Sequence, residues 1–184
     1  MMEFFDGGKK IEFEDVISKN EIKEKVQEIG LDISRKYKNN KPVMICVLNG
    51  AFLFMSDLIR NLTIDYEVDF IKIGSYGNNF KSSGSIELIK DVSINLEGRD
   101  VIIVEDIIDS GLSINFLKNH IQTYKPNSLR FVTMLYRENL KKLDFIIDWI
   151  GFKIDNGFYV GYGLDYKQLL RGLPSIKKIK EKVA

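Results

Sequence analysis

Cysteine and histidine are almost absent from this chain, which contains one of each, Cys46 and His120. A structural zinc site needs about four such ligands and a disulfide framework needs paired cysteines, so both are excluded. A Ser-His-Asp hydrolase would have His120 as its sole candidate base.

An excess of either charge is also missing. Of the 184 residues, 27 are Lys or Arg and 26 are Asp or Glu, which leaves a formal net charge of +1. Such a chain lacks the broad positive field that drives non-specific nucleic-acid binding. No nucleic-acid partner is therefore expected, and a polyanionic ligand needs a local site.

Long apolar runs and a secretory leader are absent too. The longest nearly apolar run, residues 43–55, is too short for a membrane span and is interrupted by Asn49 and Gly50. The N-terminal segment MMEFFDGG has no basic region before an apolar stretch. No membrane partner is predicted, and the cytoplasm is the expected location.

Short apolar strands alternate with helices along the chain, whose length fits one domain. Ser18 and Glu21 form a capping box for a helix over about 18–37, and helices are also predicted over about 51–62 and 113–124. Strands are predicted over 43–48, about 66–75, 86–90, 101–104 and 129–135. This alternation indicates an α/β fold with a mostly parallel sheet. Ligands bind such sheets where strands end and helices begin, at 48–50 and 105–113 here.

Residues 105–113, EDIIDSGLS, combine an anion site with three carboxylates. Ser110, Gly111 and Ser113 offer hydroxyls and backbone amides at a helix N-terminus, which suits a phosphate monoester. Carboxylates repel a phosphate, by about 1 kcal/mol in water and about 4 kcal/mol at a protein surface. They are therefore expected to face ligand hydroxyls, a metal or a basic nitrogen, and a sugar phosphate with Mg²⁺ fits this demand.

Spacing alone leaves a second interpretation open, in which 105–113 is an acidic surface loop that caps a helix. Other nucleotide motifs compete poorly with both. No G-x-x-x-x-G-K-[ST] sequence occurs, and residues 161–166, GYGLDY, lack the third glycine of a dinucleotide fingerprint.

Residues 101–113, VIIVEDIIDSGLS, closely resemble the phosphoribosyl diphosphate (PRPP) motif of the type I phosphoribosyltransferases. More narrowly, about residues 43–174 resemble the bacterial hypoxanthine(-guanine) phosphoribosyltransferases of that family. The further matching segments are VLNGAFLFMSDL (47–58), SYGNNFKSSGSIELIKD (75–91), DWIGFKI (148–154) and FYVGYGLDYKQLLRGLP (158–174).

The resemblance implies a type I phosphoribosyltransferase fold, with helices flanking a mostly parallel central sheet. It implies one domain over 1–184, with a core of about 40–145 and a small hood formed by about 1–15 and 146–184. The implied activity transfers the 5-phosphoribosyl group of PRPP to N9 of hypoxanthine or guanine, giving IMP or GMP and pyrophosphate. Mg²⁺ is the implied cofactor, and a homodimer or homotetramer the implied assembly.

The resemblance also assigns roles to individual residues. Asp109 is implied as the catalytic group that takes a proton at the purine N7, while Glu105 and Asp106 address the ribose hydroxyls. The implied PRPP and ribose-phosphate site comprises Glu105, Asp106, Asp109, Ser110, Gly111, Leu112 and Ser113. Pyrophosphate is assigned to Leu48, Asn49, Gly50 and Arg171, in a loop whose first peptide bond can be cis. The implied purine site comprises Ile108, Arg137, Phe158, Tyr159 and Leu164. The implied metal ligands are Glu105, Asp106 and Asp165, and a flexible loop begins at Ser75 and Tyr76.

Two residues depart from the pattern of the family. Asn49 replaces a usual lysine in the pyrophosphate loop, and Arg137 replaces the lysine that donates to the purine 6-oxo group. Arginine retains a cation there but is bulkier and planar, so the preference among hypoxanthine, guanine and xanthine is left open. Two alternatives are weighed against the main interpretation: a xanthine-preferring transferase and a nucleotide-sensing RNA-binding regulator of the same fold.

Overall fold

The computed structural model describes residues 4–75, 86–137 and 143–180. In chain order the elements are β1 (Phe4–Asp6), β2 (Lys9–Ile11), β3 (Phe13–Ile17), α1 (Lys19–Lys36), β4 (Val43–Leu48), α2 (Phe52–Arg60), β5 (Glu67–Ser75), β6 (Ile86–Lys90), β7 (Asp100–Ile108), α3 (Leu112–Gln122), β8 (Ser128–Arg137), β9 (Trp149–Ile154), β10 (Tyr159–Val160) and β11 (Ile176–Ile179). None of the helices in these ranges is long and apolar enough to cross a bilayer.

A six-stranded sheet forms the centre of the fold, in the order β6-β5-β4-β7-β8-β9. Its strands run parallel except β6, which pairs antiparallel with β5. One apolar cluster joins the sheet to α1 and α2, and a second joins the opposite face to α3. The predicted α/β fold with a mostly parallel sheet is therefore confirmed.

The helices follow the sequence signals closely. Ser18 accepts a hydrogen bond from the Glu21 amide, and the Glu21 carboxylate accepts one from the Ser18 amide, so the predicted capping box forms. Helix α1 then buries Ile22, Val26 and Ile33 against the sheet. Both flanks of the central sheet are thus covered, and the carboxyl ends of its parallel strands meet at one edge.

β7 is longer than the sequence predicts, and this moves two candidate site residues. The apolar run ends at Val104, but β7 continues to Ile108 because β8 pairs with it that far, with Ile107 opposite Leu135. Glu105 and Asp106 therefore lie within the strand and not in the turn after it. Strand pairing tolerates them here because they stand near the sheet's carboxyl edge.

A smaller antiparallel sheet, in the order β10-β11-β3, joins segments from both ends of the chain, and β1 pairs with β2 as a separate hairpin. Hydrophobic patterning does not predict these strands, because they are only two to five residues long and all but β10 include charged residues. The division into core and hood stays a prediction. β9, from the segment assigned to the hood, pairs with β8 in the central sheet.

Asp69 ties β5 to the segment that follows β6. Its side chain is buried, and the carboxylate accepts hydrogen bonds from the backbone amides of Phe70, Ser93 and Ile94. Burial opposes ionisation of this carboxyl, but the amides outweigh burial, so the pKa of Asp69 lies below its usual value.

We expect Asp69→Asn to lower the free energy of unfolding by about 1–3 kcal/mol, because buried amides lose a charged acceptor. Since the folded-state pKa is depressed, the wild-type stabilisation is present above the unfolded-state pKa of about 3.9 and is lost as pH falls through the folded-state value. Urea unfolding at neutral and acidic pH measures both effects. Asp65→Asn, at an exposed carboxylate, is the control; equal stability of the two variants would contradict the prediction.

Candidate active site

Two adjoining cavities open at the carboxyl edge of the central sheet. The larger holds about 380 Å³ and the smaller about 220 Å³. Four residues line both of them: Asp106, Ile107, Asp109 and Asp165. The two cavities thus form one bent cleft with an acidic floor, which suits a ligand made of two chemically different halves.

The segment for which an anion site is predicted, at the start of α3, lines the larger cavity. Gly111 is the N-cap of α3 and has a φ of 76°, a left-handed conformation that glycine adopts without a Cβ penalty. Ser110, Gly111 and Ser113 line the cavity. The Leu112 side chain is exposed, so Leu112 can contribute there through its backbone. The Leu112 amide donates to Ser110 Oγ at 3.4 Å, and amides at a helix N-terminus beside two hydroxyls are a chemistry that suits a phosphate.

Glu105 and Asp106 stand side by side on the floor of the larger cavity. Burial, and then the neighbouring Asp106 carboxylate, raise the pKa of Glu105 well above its usual range. Burial also raises the pKa of Asp106 to about 6, against the opposing effects of the Ile107 amide and the Arg171 charge. Such a pair of carboxyl groups favours a neutral or cationic partner over an anion. A sugar hydroxyl is a neutral partner of this kind, and a sugar with cationic character is a positively charged one.

Leu48, Asn49 and Gly50 form the wall opposite α3. The Leu48–Asn49 peptide bond is cis, as the resemblance implies it can be. A Cβ on Gly50 would lie 1.5 Å from Asp106 Oδ2, so only glycine fits beside that carboxylate. The backbone of the loop at Gly50 is therefore packed directly against the Asp106 side chain.

A turn over residues 165–171 covers the larger cavity from the side of the small sheet. Arg171 pairs with Asp165 at 2.7 Å through Nη2 and donates to the Gly163 carbonyl oxygen at 2.7 Å through Nη1. Asp165 also accepts from the Gln168 amide at 2.7 Å. Arg171 and Asp165 thus hold a cation and a carboxylate together in the lining of the larger cavity, and their roles toward pyrophosphate and metal stay predictions.

The smaller cavity is lined by Arg137, Phe158, Tyr159 and Leu164, four of the residues assigned to the purine. Phe158 is 52% exposed, whereas Tyr159 and Leu164 are buried. Burial, and then a hydrogen bond to Asp155, raise the pKa of Tyr159 to about 12. The fifth predicted residue, Ile108, lines the larger cavity and not the smaller one.

Arg137 spans the smaller cavity with three contacts at once. Its Nε pairs with the Asp109 carboxylate, Nη1 donates to the Asp155 carbonyl oxygen, and Nη2 donates to the Gly157 carbonyl oxygen at 3.1 Å. The planar fork of arginine allows this arrangement, which a lysine ammonium with one nitrogen would not reproduce. The presence of arginine instead of lysine at position 137 therefore has a structural consequence. Arg137 forms a hydrogen-bonded ion pair with Asp109 and holds two backbone carbonyl oxygens at the same time.

The loop predicted to begin at Ser75 and Tyr76 lies largely outside the described residues. Ser75 is the last residue of β5, and Tyr76 falls in the range 76–85, which the structure does not describe.

The chemistry of the donor set fits Mg²⁺ held jointly with a substrate. Across residues 4–75, 86–137 and 143–180, no three His, Cys, Asp or Glu side chains converge on a ready-made metal cage. Mg²⁺ is commonly bound by one or two carboxylates plus substrate phosphates and water. Asp106 and Asp165 line both cavities and meet that requirement beside an anion cradle.

Sequence reasoning missed residues that shape the cleft through the backbone. A Cβ on Gly163, which has a φ of 102°, would lie 1.9 Å from the Gly50 carbonyl oxygen. Nearby, Tyr162 donates to Asp57 on α2 at 2.8 Å. Gly161 and Gly163 are visible in the sequence, but neither the dinucleotide motif nor the family resemblance assigns them a role in shaping the cleft.

The comparisons with known proteins agree with this geometry. A family profile described as "Phosphoribosyl transferase domain" matches residues 15–167. The chain is 42% identical to a hypoxanthine-guanine phosphoribosyltransferase of Bacillus subtilis, over 91% of this chain and 93% of that protein. It is 40% identical to a hypoxanthine-guanine-xanthine phosphoribosyltransferase of Tritrichomonas foetus, over 90% and 91% of the two chains.

A solved structure gives the same result for the fold. A crystal structure of a hypoxanthine-guanine phosphoribosyltransferase from Bacillus anthracis superimposes with a TM-score of 0.86 at 42% identity, covering 92% of this chain and 99% of that one. Because the profile and the relatives both span most of the chain, this protein belongs to the phosphoribosyltransferase family.

Proposed function

We propose that this enzyme serves purine salvage by transferring the 5-phosphoribosyl group of PRPP to N9 of hypoxanthine and guanine, with release of pyrophosphate. The observation that carries the proposal is the shared floor of the two cavities, where Asp106, Ile107, Asp109 and Asp165 line both. A phosphate cradle on one side and an aromatic wall with a cation on the other match the two halves of a purine nucleotide.

The phosphoribosyl half belongs in the larger cavity. The α3 N-terminus, with Ser110, Gly111 and Ser113, would bind the 5′-phosphate, and the amides after Leu48 would face the pyrophosphate together with Arg171. Glu105 and Asp106 would bind the ribose hydroxyls. As the sugar gains cationic character, the neighbouring carboxylates stabilise that charge, so catalysis rests on positioning and electrostatics.

The purine half belongs in the smaller cavity. Phe158 would stack on the base, Leu164 would pack against it, and backbone groups at Tyr159 would meet its edge. Arg137 would donate to the 6-oxo group, and Asp109 would accept the proton at N7. Every 6-oxopurine has the 6-oxo group and N7, so these two contacts would recognise 6-oxopurines in general and would not by themselves distinguish one from another.

Mg²⁺ is part of the proposal. Asp106 and Asp165 would hold it with the diphosphate, with Glu105 as a third carboxylate, and bound there it would neutralise charge on the pyrophosphate. A homodimer or homotetramer is also proposed, on the resemblance alone, and a cytoplasmic location is proposed as the sequence analysis expects.

Conversion of each purine to its monophosphate tests the proposal directly. With PRPP and Mg²⁺ we expect turnover of hypoxanthine and guanine, and loss of turnover when a chelator removes the metal. Turnover of xanthine well above both would favour the xanthine-preferring alternative. RNA binding in a gel-shift assay without any PRPP-dependent turnover would favour the regulatory alternative. The relatives named above all carry hypoxanthine in their names, so a preference for xanthine is not favoured.

Arg137→Lys is expected to change the ratio of kcat/KM among hypoxanthine, guanine and xanthine by about tenfold, the value of one charge-assisted hydrogen bond. All three purines carry the 6-oxo group, so the change is expected to come from the backbone. Lysine cannot hold the Asp155 and Gly157 carbonyl oxygens as arginine does, and the segment that leads to Tyr159, which would meet the base edge where the three purines differ, would therefore shift. Arg130→Lys is the matched control, because Arg130 pairs with Asp148 away from the cleft. Unchanged ratios in Arg137→Lys would remove the assigned role in selecting the base.

A further inference from the structure

The β1–β2 hairpin, residues 4–11, lies outside the range that the family profile matches, which starts at residue 15. The hairpin nevertheless contacts the cleft-forming part of the chain. Its contacts are with Tyr166 and Lys167, which directly follow Asp165 on the turn over 165–171. An element beyond the shared domain is therefore attached to the edge of the candidate active site.

Asp6 and Phe4 make these contacts from β1. Asp6 Oδ2 accepts a hydrogen bond from the Tyr166 hydroxyl at 2.6 Å and another from Lys167 Nζ at 2.6 Å. The ring of Phe4 meets the ring of Tyr166 edge to face, with centroids 5.8 Å apart. Tyr166 is thus held at its hydroxyl by a carboxylate and on its ring by an aromatic neighbour.

Tyr166 in turn supports the aromatic wall of the smaller cavity. Its ring meets the ring of Phe158 edge to face, with centroids 5.8 Å apart and planes at 81°. Because Phe158 is half exposed, few other side chains fix the direction of its ring. A continuous row of three aromatic rings, Phe4, Tyr166 and Phe158, therefore leads from the hairpin to the cavity.

The turn that carries Tyr166 needs support from outside itself. Lys167, Gln168 and Leu170 have φ values of 51°, 68° and 71°, a left-handed conformation that side chains other than glycine rarely adopt. Each such residue is strained and persists where surrounding contacts over-determine its conformation. The ion pair of Asp6 with Lys167 supplies one of those contacts.

We propose that the β1–β2 hairpin positions the purine-stacking wall of this enzyme: Asp6 and Phe4 fix Tyr166, and Tyr166 fixes Phe158. Asp6, Phe4 and Tyr166 are positioning residues, since of these four residues only Phe158 lines the smaller cavity. The inference rests on the proposed function, in which Phe158 stacks on the base. It predicts that loosening the hairpin weakens binding of the purine half of the ligand more than binding of PRPP, because Asp165 and Arg171, on the same turn, keep their own contacts with the Gln168 amide and the Gly163 carbonyl oxygen.

Equilibrium binding separates the two halves of the site. We measure the Kd of IMP, which contains the base, and of PRPP with Mg²⁺, which lacks it, by calorimetry on the full chain. Asp6→Ala is expected to weaken IMP binding about three- to tenfold, the value of an aromatic contact, and to leave the Kd of PRPP within about twofold. Tyr166→Phe removes the hydroxyl and keeps the ring, so it should weaken IMP binding less.

A double substitution tests whether Asp6 acts through the Tyr166 hydroxyl. If it does, Tyr166→Phe has little further effect on IMP binding once Asp6 is alanine. Asp15→Ala is the matched control, because Asp15 is also an N-terminal carboxylate paired with a lysine, Lys177, but on the small sheet. It should leave both Kd values unchanged.

The possible outcomes are distinguishable. Equal weakening of IMP and PRPP binding by Asp6→Ala, or an effect no larger than that of Asp15→Ala, overturns the positioning role. If Asp6→Ala lowers stability so far that binding cannot be measured, the more conservative Tyr166→Phe decides, since an unchanged Kd of IMP also overturns the role. A wild-type protein that binds neither IMP nor PRPP contradicts the proposed function itself.

Discussion

Asp109→Asn is expected to lower kcat for hypoxanthine by about 10² or more, the typical contribution of a positioned acid or base. Asp109 lines both cavities, so its carboxylate stands where the base and the sugar meet. Asparagine keeps the size of the side chain but cannot take a proton from the purine N7. Steady-state kinetics with hypoxanthine and guanine at saturating PRPP measure the effect.

The ion pair between Asp109 and Arg137 offers a competing explanation for such a loss, because asparagine would also loosen Arg137. The two explanations differ in what they predict for base selection. Loss of the proton acceptor lowers kcat for every purine alike, whereas release of Arg137 changes the ratio among purines. Asp144→Asn, at an exposed carboxylate paired with Lys118, should keep wild-type kcat. A near-normal kcat in Asp109→Asn would remove the assigned role.

Gly50→Ala is expected to lower kcat/KM for PRPP by about 10², because a displacement near 1 Å at reacting groups can cost that much. The added Cβ would overlap Asp106 Oδ2, so either the loop or the carboxylate has to move. Both belong to the larger cavity, and the loss should therefore appear with PRPP whichever purine is the partner.

Gly172→Ala provides the matched control for this substitution. A Cβ at Gly172 meets no atom within 4 Å, so kcat/KM should stay close to that of the wild type. Urea unfolding of both variants separates damage to the cleft from damage to the fold. Wild-type kcat/KM in Gly50→Ala would show that the close approach of Gly50 to Asp106 is not needed for catalysis.

The sequence predicts those parts of the fold whose signals are local. The capping box of Ser18 and Glu21 starts α1, and the apolar run of 43–48 becomes β4, because cap chemistry and burial act within a few residues. The extension of β7 through Glu105 and Asp106 could not be read in the same way, since pairing with β8 decides it. The short strands of the small sheet depend on partners more than 150 residues away, such as Ile17 and Ile176.

The candidate site likewise has parts that local sequence signals predict and parts that depend on distant segments. The anion cradle at 110–113 follows from its own residues, since hydroxyls and a glycine before a helix define it. The placement of Phe158 and Arg171 beside that cradle came from the resemblance, because nothing local links them to it. The bond between Arg137 and Asp109, like the contact between Gly163 and Gly50, depends on three-dimensional packing that neither pattern nor resemblance encodes.

The bent cleft has a consequence for how such an enzyme can diversify. Its floor is common to both halves, but the outer walls come from separate stretches, 48–50 and 110–114 for the larger cavity against Arg137 and 157–164 for the smaller. Substitutions at Arg137 or within 157–164 can change which nucleobase is bound, while the residues proposed to bind PRPP stay the same. New base selectivity is therefore accessible by single steps, each of which passes through a working catalyst.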